Sequence, residues 1–300
     1  MIEQILDWHN LEDAWNDVRE RRGAPGSDGV SVKRWGRNWE ERLVNLRRAV
    51  LANTYKPAPL ERYSVPKKSG GRRHLTNLTV TDKVLQRAVL NVLDGVFDPL
   101  FLPCSYGYRK GRSAADAVEA ICAHRDAGFV WVLDADIDAC FDSLDHHMLM
   151  KFLREQVDHP IVLRLVEGWL RIGRRAPDLA CGIPMGAVIS PLLCNVYLHR
   201  LDLTLVSLGW LVVRYADDFV VLCRAQEEAH AAHGDAAAAL ESIKLQLEPN
   251  KTAVTSFDAG FDYLGVHFER DEYTYLWQGK RITVEGDFPD FLFAYGPGYE

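Results

Sequence analysis

Basic residues do not outnumber acidic ones: 35 Lys and Arg stand against 42 Asp and Glu, a formal net charge of −7. That balance speaks against a chain that coats nucleic acid over its whole surface, because phosphates demand Lys and Arg. No apolar run is long enough to span a bilayer, and the opening Met-Ile-Glu-Gln-Ile-Leu-Asp has neither the basic nor the apolar region of a signal peptide. The expectation is a cytoplasmic protein with no membrane partner. The six cysteines (Cys104, Cys122, Cys140, Cys181, Cys194, Cys223) include no Cys-x-x-Cys pair and sit mostly in apolar stretches, which points to reduced core residues rather than disulfides or zinc ligands. Apolar content is not lacking: 48% of 300 residues suffices for one large domain or two closely packed subdomains.

The average charge conceals an asymmetry. Residues 1–125 carry 21 Lys and Arg against 15 Asp and Glu, whereas residues 126–300 carry 14 against 27. A basic front and an acidic rear suit an enzyme that grips a polyanion with one part and metal ions with the other.

The densest chemical signal is Leu211–Cys223, in which two Val- and Leu-rich runs meet at Asp217 and Asp218. This pattern predicts a β-hairpin with the two carboxylates at its bend. Adjacent carboxylates between buried strands repel each other and lose solvation unless a cation neutralises them. A second apolar run, from Trp131, ends in the closely spaced carboxylates Asp134, Asp136, Asp138, Asp142 and Asp145. Two carboxylate-tipped strands can share one site for hard cations such as Mg²⁺, which takes few protein carboxylates and completes its shell with water and phosphate oxygens.

The rest of the chain reads as alternating helices and short strands. Near-helical apolar spacing predicts helices over 1–22, 35–52, 81–97, 114–127 (with Ser113 as cap), 149–157, 161–172 and 226–245. Between Tyr63 and Leu75 a strand, a Gly-Gly turn and a return strand form a hairpin with Lys67, Lys68, Arg72 and Arg73 near its tip. Tyr106, Tyr108, Arg109, Lys110 and Arg112 offer planes for bases and cations for phosphates, the equipment for holding a single strand. His146 and His147 follow Asp145 without a Cys or Glu at zinc-ligand spacing and read as structural or solvated.

Tyr215-Ala-Asp-Asp218, Asp136 with Phe141, and Gly182-Ile-Pro-Met-Gly-Ala-Val-Ile-Ser-Pro-Leu-Leu-Cys-Asn-Val-Tyr197 together resemble the reverse transcriptases of group II introns and their bacterial relatives. The resemblance covers about residues 10–270 and includes Gly23-Ala-Pro-Gly-Ser-Asp-Gly29, Asn250-Lys-Thr252 and Phe261-Asp-Tyr-Leu-Gly265. It implies an α+β right-hand polymerase: basic N-terminal extension and fingers over 1–125, a palm over 126–270 whose sheet carries the catalytic hairpin, and an acidic, aromatic tail or start of a further domain over 271–300, with the thumb absent or incomplete. The implied function is RNA-directed DNA polymerisation. Asp136, Asp217 and Asp218 are the implied catalytic carboxylates and, with Ile137, the metal-binding positions for two Mg²⁺ ions, with Mn²⁺ able to substitute. Lys67, Arg73, Phe141, Met185 and Lys251 are the implied substrate contacts, with Phe141 placed to exclude a 2′ hydroxyl. The implied partners are an RNA template, a DNA or RNA primer and deoxynucleoside triphosphates.

The chain also departs from the family. Arg73-His-Leu-Thr-Asn-Leu-Thr79 replaces the usual Arg-Pro-Leu-Gly-Ile-Pro-Thr, Met185 replaces Gln, and Ala187 replaces Gly. The altered finger run and the end of the match near residue 270 resemble the reverse transcriptases attached to CRISPR adaptation proteins, which implies a fused or associated Cas1 integrase. Two alternatives stand beside this: an antiviral-defence or retroelement polymerase with templated or untemplated synthesis, and a catalytically inert nucleic-acid-binding module.

Overall fold

A computed structural model describes residues 1–66, 72–173, 180–277 and 280–285. The chain divides into two compact units, Met1–Leu100 with Phe141–Tyr197 and Phe101–Cys140 with Leu198–Glu300. The units interleave along the chain, whereas the sequence reading drew consecutive stretches with boundaries at 125/126 and 270/271.

The first unit is mainly helical. The single helix expected over 1–22 is two, Ile2–Ile5 and Trp8–Glu20, because the Asp7 carboxylate accepts the His9 amide at 2.9 Å and starts a new helix there. Its buried Trp15 lies 4.5 Å, centroid to centroid, from Trp35. Helix Val80–Phe97 begins at Thr79, whose hydroxyl accepts the Asp82 amide at 3.1 Å and donates to the Asp82 carboxylate at 2.8 Å. That helix buries Val84, Leu85, Ala88, Val89 and Leu93, and full burial of each large aliphatic side chain is worth about 1.5–3 kcal/mol. Strands β1 (Glu61–Pro66) and β2 (Arg72–Asn77) pair antiparallel, with Val65 opposite Arg73. Lys67 and Lys68 lie outside the described residues. Helices His146–Arg154 and Pro160–Gly173 follow the two apolar segments read from sequence.

The second unit carries two antiparallel sheets. One has the strand order β4 (Leu211–Tyr215), β5 (Asp218–Cys223), β3 (Trp131–Asp136), β6 (Ala253–Ser256). Helix Gln226–Ser242 packs on β3, β5 and β6, presenting buried Ala229, Ala232, Ala236 and Leu240. Helix Ala114–Asp126 opens on a reciprocal cap between Ser113 and Asp116 and buries Ala117, Val118 and Ile121. The other sheet is a meander of β7 (Phe261–Tyr263), β8 (Val266–Glu269), β9 (Glu272–Trp277) and β10 (Lys280–Glu285). Phe261 stacks on Phe268 at 5.0 Å, and both join Val118, Ile121, Val132 and Val220 in one core. Part of the stretch read as an acidic tail is thus strand; Phe288, Phe291, Leu292, Phe293, Tyr295 and Tyr299 lie outside the described residues.

Candidate active site

The site grows from strand periodicity. Side chains two apart on a strand share a face, so Asp134 and Asp136 point the same way from β3 while Leu133 and Ala135 are buried on the other. The ladder between β3 and β5 sets Asp136 opposite Asp218 and Asp134 opposite Val220. β4 and β5 are joined through Ala216 and Asp217, since Tyr215 pairs with Asp218. The bend therefore lies one residue earlier than the sequence pattern suggested: Asp217 is in the turn, and Asp218 begins β5. Ala216 adopts φ +59°, as the first central residue of a two-residue hairpin turn must.

Along the other edge of this group runs the segment 246–252. Glu248 N–H donates to Asp136 O at 2.8 Å, Asp138 N–H donates to Gln246 O at 2.9 Å, and Ile137 forms an antiparallel bridge with Leu247. This pairing delivers Lys251, whose ammonium makes an ion pair with the Asp136 carboxylate. Asp134, Asp136, Asp218, Lys251, Asp262 and Tyr263 line a cavity of about 220 Å³. Asp134 was overlooked as a site residue by the sequence reading, although the two-residue spacing from Asp136 carried the signal.

Carboxylates outnumber cations here, and the charge shows in the acidities. Burial, then the negative charges of Asp217 and Asp136, push the Asp218 carboxyl up to about 7. Burial, then Asp136 and Asp262, push Asp134 up to about 6. The hydrogen bond from Lys251 to Asp136 raises the lysine's own pKa. A carboxyl that holds its proton more tightly when folded than when unfolded favours the folded state at low pH. That advantage is lost as pH rises from the unfolded value, near 4, through about 7. In the presence of a chelator, Asp218→Asn is therefore expected to stabilise the protein at pH 8 by up to about 4 kcal/mol and to do little near pH 4. Urea midpoints at the two pH values measure this; equal changes at both would contradict the assignment.

The donor chemistry fits a divalent cation. Clustered, half-buried carboxylates that raise one another's pKa, and a lysine drawn onto one of them, are a hard-ion environment. Among the described residues, no three acidic, His or Cys side chains already converge into a ligand set.

The other sequence-predicted residues fall into two places. Tyr106, Tyr108, Arg109, Lys110 and Arg112 belong to the same unit as the carboxylates. Arg109 donates to Leu102 O and Ser105 O at 3.0 Å and lies 5.5 Å from the Phe101 ring centre. Arg112 donates to Pro103 O at 2.6 Å and lies over Tyr106. These two guanidiniums hold the loop's own shape, whereas Tyr108 and Lys110 are exposed. Phe141, Met185 and the backbone of Arg73 belong to the first unit. There Phe141, 7% exposed, accepts the Ile183 amide on its carbonyl at 2.7 Å. Met185 O accepts both the amide and the hydroxyl of Thr76 at 2.8 Å, so β2 is tied to the Gly182–Ala187 loop. Gly186, at φ +97°, lets Thr76 O approach to 2.9 Å of where a Cβ would stand. His146 Nε2 bonds Gly182 O at 2.7 Å, a structural role as read from sequence.

The family model described as reverse transcriptase (RNA-dependent DNA polymerase) matches residues 65–268. Protein YkfC of Escherichia coli (strain K12) is 28% identical over 284 residues, which are 80% of this chain and 74% of YkfC. The group II intron-encoded protein LtrA of Lactococcus lactis subsp. cremoris is 32% identical over 168 residues, 54% of this chain and 28% of LtrA. The chain thus spans under a third of that intron-encoded relative. A solved partial Cas6-RT-Cas1–Cas2 complex superposes with a TM-score of 0.48 at 25% identity, over 81% of this chain and 41% of the solved one.

Proposed function

Because the chain belongs to the reverse transcriptase family, we propose that the acidic cavity beside β3 and the β4–β5 turn is a centre for RNA-templated addition of deoxynucleotides to a primer 3′ end. The observation that carries this reading is the register that sets Asp136 opposite Asp218, with Asp217 at the adjoining bend. Asp136, Asp217 and Asp218, with Ile137 beside them, would hold two Mg²⁺ ions or Mn²⁺ in their place. When bound, such ions activate the 3′ hydroxyl and neutralise the departing pyrophosphate. Lys251 keeps Asp136 oriented through its ion pair and sets a positive charge beside the cavity, suited to a triphosphate. By the family resemblance, Lys67 and Arg73 are the proposed triphosphate contacts and Met185 the proposed contact to the incoming base or sugar. Tyr108 and Lys110 are the exposed groups that best suit a template strand.

In polymerase terms, the carboxylate sheet is a palm and the β1–β2 hairpin a finger. No helix among the described residues is long and apolar enough to cross a membrane, and the cytoplasm is the proposed location. A Cas1-type partner is proposed from the altered run Arg73–Thr79; co-purification with a Cas1 encoded beside this chain would decide it.

Product chemistry tests the proposed role of Phe141. A ring against the sugar leaves no room for a 2′ hydroxyl, and a smaller side chain relieves the clash. Phe141→Val is expected to raise ribonucleotide use relative to deoxyribonucleotide use by about 10-fold or more, from parallel extensions on one RNA template. An unchanged ratio in an active variant would remove the steric reason for a DNA product.

A further inference from the structure

The turn that carries Asp217 is strained and held. Ala216 occupies the left-handed region at φ +59°, which disfavours a residue with a Cβ by about 1–2 kcal/mol. Two side chains secure the carbonyls on either side of Asp217. Arg214 Nη1 donates to Ala216 O at 2.8 Å. The Tyr263 hydroxyl is shared between Asp218 O at 3.3 Å and Val213 O at 3.2 Å.

Arg214 is held with equal care. It is wholly buried, as is its partner Asp202 on helix Ser190–Ser207, and the two meet through paired 2.6 Å contacts from Nε and Nη2. Nη2 also donates to Ser105 Oγ at 2.8 Å. Its backbone is bridged to the neighbouring segment, with Arg214 N–H donating to Cys104 O and Tyr106 N–H donating to Arg214 O, both at 2.8 Å. Taking an ion pair wholly out of water costs several kcal/mol per ion, and well-packed apolar residues often serve stability as well or better. Stability alone therefore gives no reason for a charge at this point in an otherwise apolar strand. An apolar side chain there could not donate to the Ala216 carbonyl.

We propose that Arg214, oriented by Asp202 and Ser105, and Tyr263 are positioning residues that fix the backbone on both sides of Asp217. The inference rests on the reading of Asp217 as a catalytic carboxylate. The pinned carbonyls hold the turn where Asp217 adjoins Asp136 and Asp218, and loosening them misplaces the carboxylate without unfolding the sheet.

The test uses the purified 300-residue chain with an RNA template and annealed primer. The double substitution Asp202→Leu with Arg214→Met removes both buried charges together, and Tyr263→Phe removes only the hydroxyl. With unfolding temperatures close to that of the unsubstituted protein, kcat is expected to fall about 30-fold in the double variant and about fivefold in Tyr263→Phe, with KM for deoxynucleotides changed less than about threefold. A purely structural role would instead track the unfolding temperature and leave kcat intact in the folded variants. A folded double variant with full kcat, or a loss confined to KM, overturns the proposal. Should the double variant fail to fold, Tyr263→Phe decides, and full kcat in that variant overturns it. Asp217→Ala runs in the same assay: if that variant still extends primers, the reading of Asp217 fails, whereas an inactive Asp217→Ala beside fully active clamp variants sinks only the clamp.

Discussion

Asp217→Ala is expected to reduce primer extension by about 10³-fold or more while leaving the protein as stable as before, or more so. The two effects have one origin. Asp217 is among the negative charges that push the Asp218 carboxyl up to about 7, so removing it relieves repulsion in the folded state. The same deletion takes away a carboxylate that the proposed chemistry needs beside Asp136. Activity and stability should therefore move in opposite directions, which general damage to the fold cannot produce. Single-nucleotide addition rates and urea midpoints, measured on one preparation, check both. Wild-type extension by a folded Asp217→Ala protein would remove Asp217 from the catalytic set.

Gly107→Ala is expected to lower kcat by about 100-fold, from a site with no chemistry of its own. A Cβ on residue 107 would stand 2.4 Å from Ala216 N and 3.0 Å from the Tyr215 carbonyl carbon. Both are backbone atoms, so no side-chain rotation relieves the clash and the turn itself must move. A displacement of about 1 Å at a reacting group can reduce a rate about 100-fold, whereas crowding of this kind typically lowers stability by about 1–3 kcal/mol. Initial rates at saturating deoxynucleotide, with the unfolding temperature as control, separate the two. Full kcat in Gly107→Ala would mean that the position of the turn is not limiting.

What could be read from the sequence was whatever a local pattern encodes. Carboxylates at the ends of Val- and Leu-rich runs announced β3 and the β4–β5 hairpin, and Ser113 announced the start of a helix, whereas the cap at Thr79 was not anticipated. The break at Asp7 was missed because the apolar spacing continues through it while the cap acts on the backbone. The bend fell on Ala216 and Asp217 rather than on the two Asp residues, since Asp is the favoured turn residue and a left-handed Ala is not anticipated. Asp134 was legible by its two-residue spacing and was passed over.

Arg214 was not legible at all. Its partners are Asp202 on a preceding helix and Ser105 more than a hundred residues away, and no periodicity connects them. A charge inside an apolar strand reads as a solvent-facing residue until the fold shows it buried. Arg109 and Arg112 carry a role that cations beside aromatics do not announce: both guanidiniums donate to carbonyls of their own loop.

RNA-templated DNA synthesis at the carboxylates of β3 and the β4–β5 turn is tested by addition of one labelled deoxynucleotide by the purified chain to a primer annealed to RNA, with each of the four template bases in turn. Only the complementary deoxynucleotide is expected to be added, in the presence of Mg²⁺, and Asp217→Ala is expected to abolish that addition. Addition without regard to the template base, or complementary addition that survives Asp217→Ala, would contradict it.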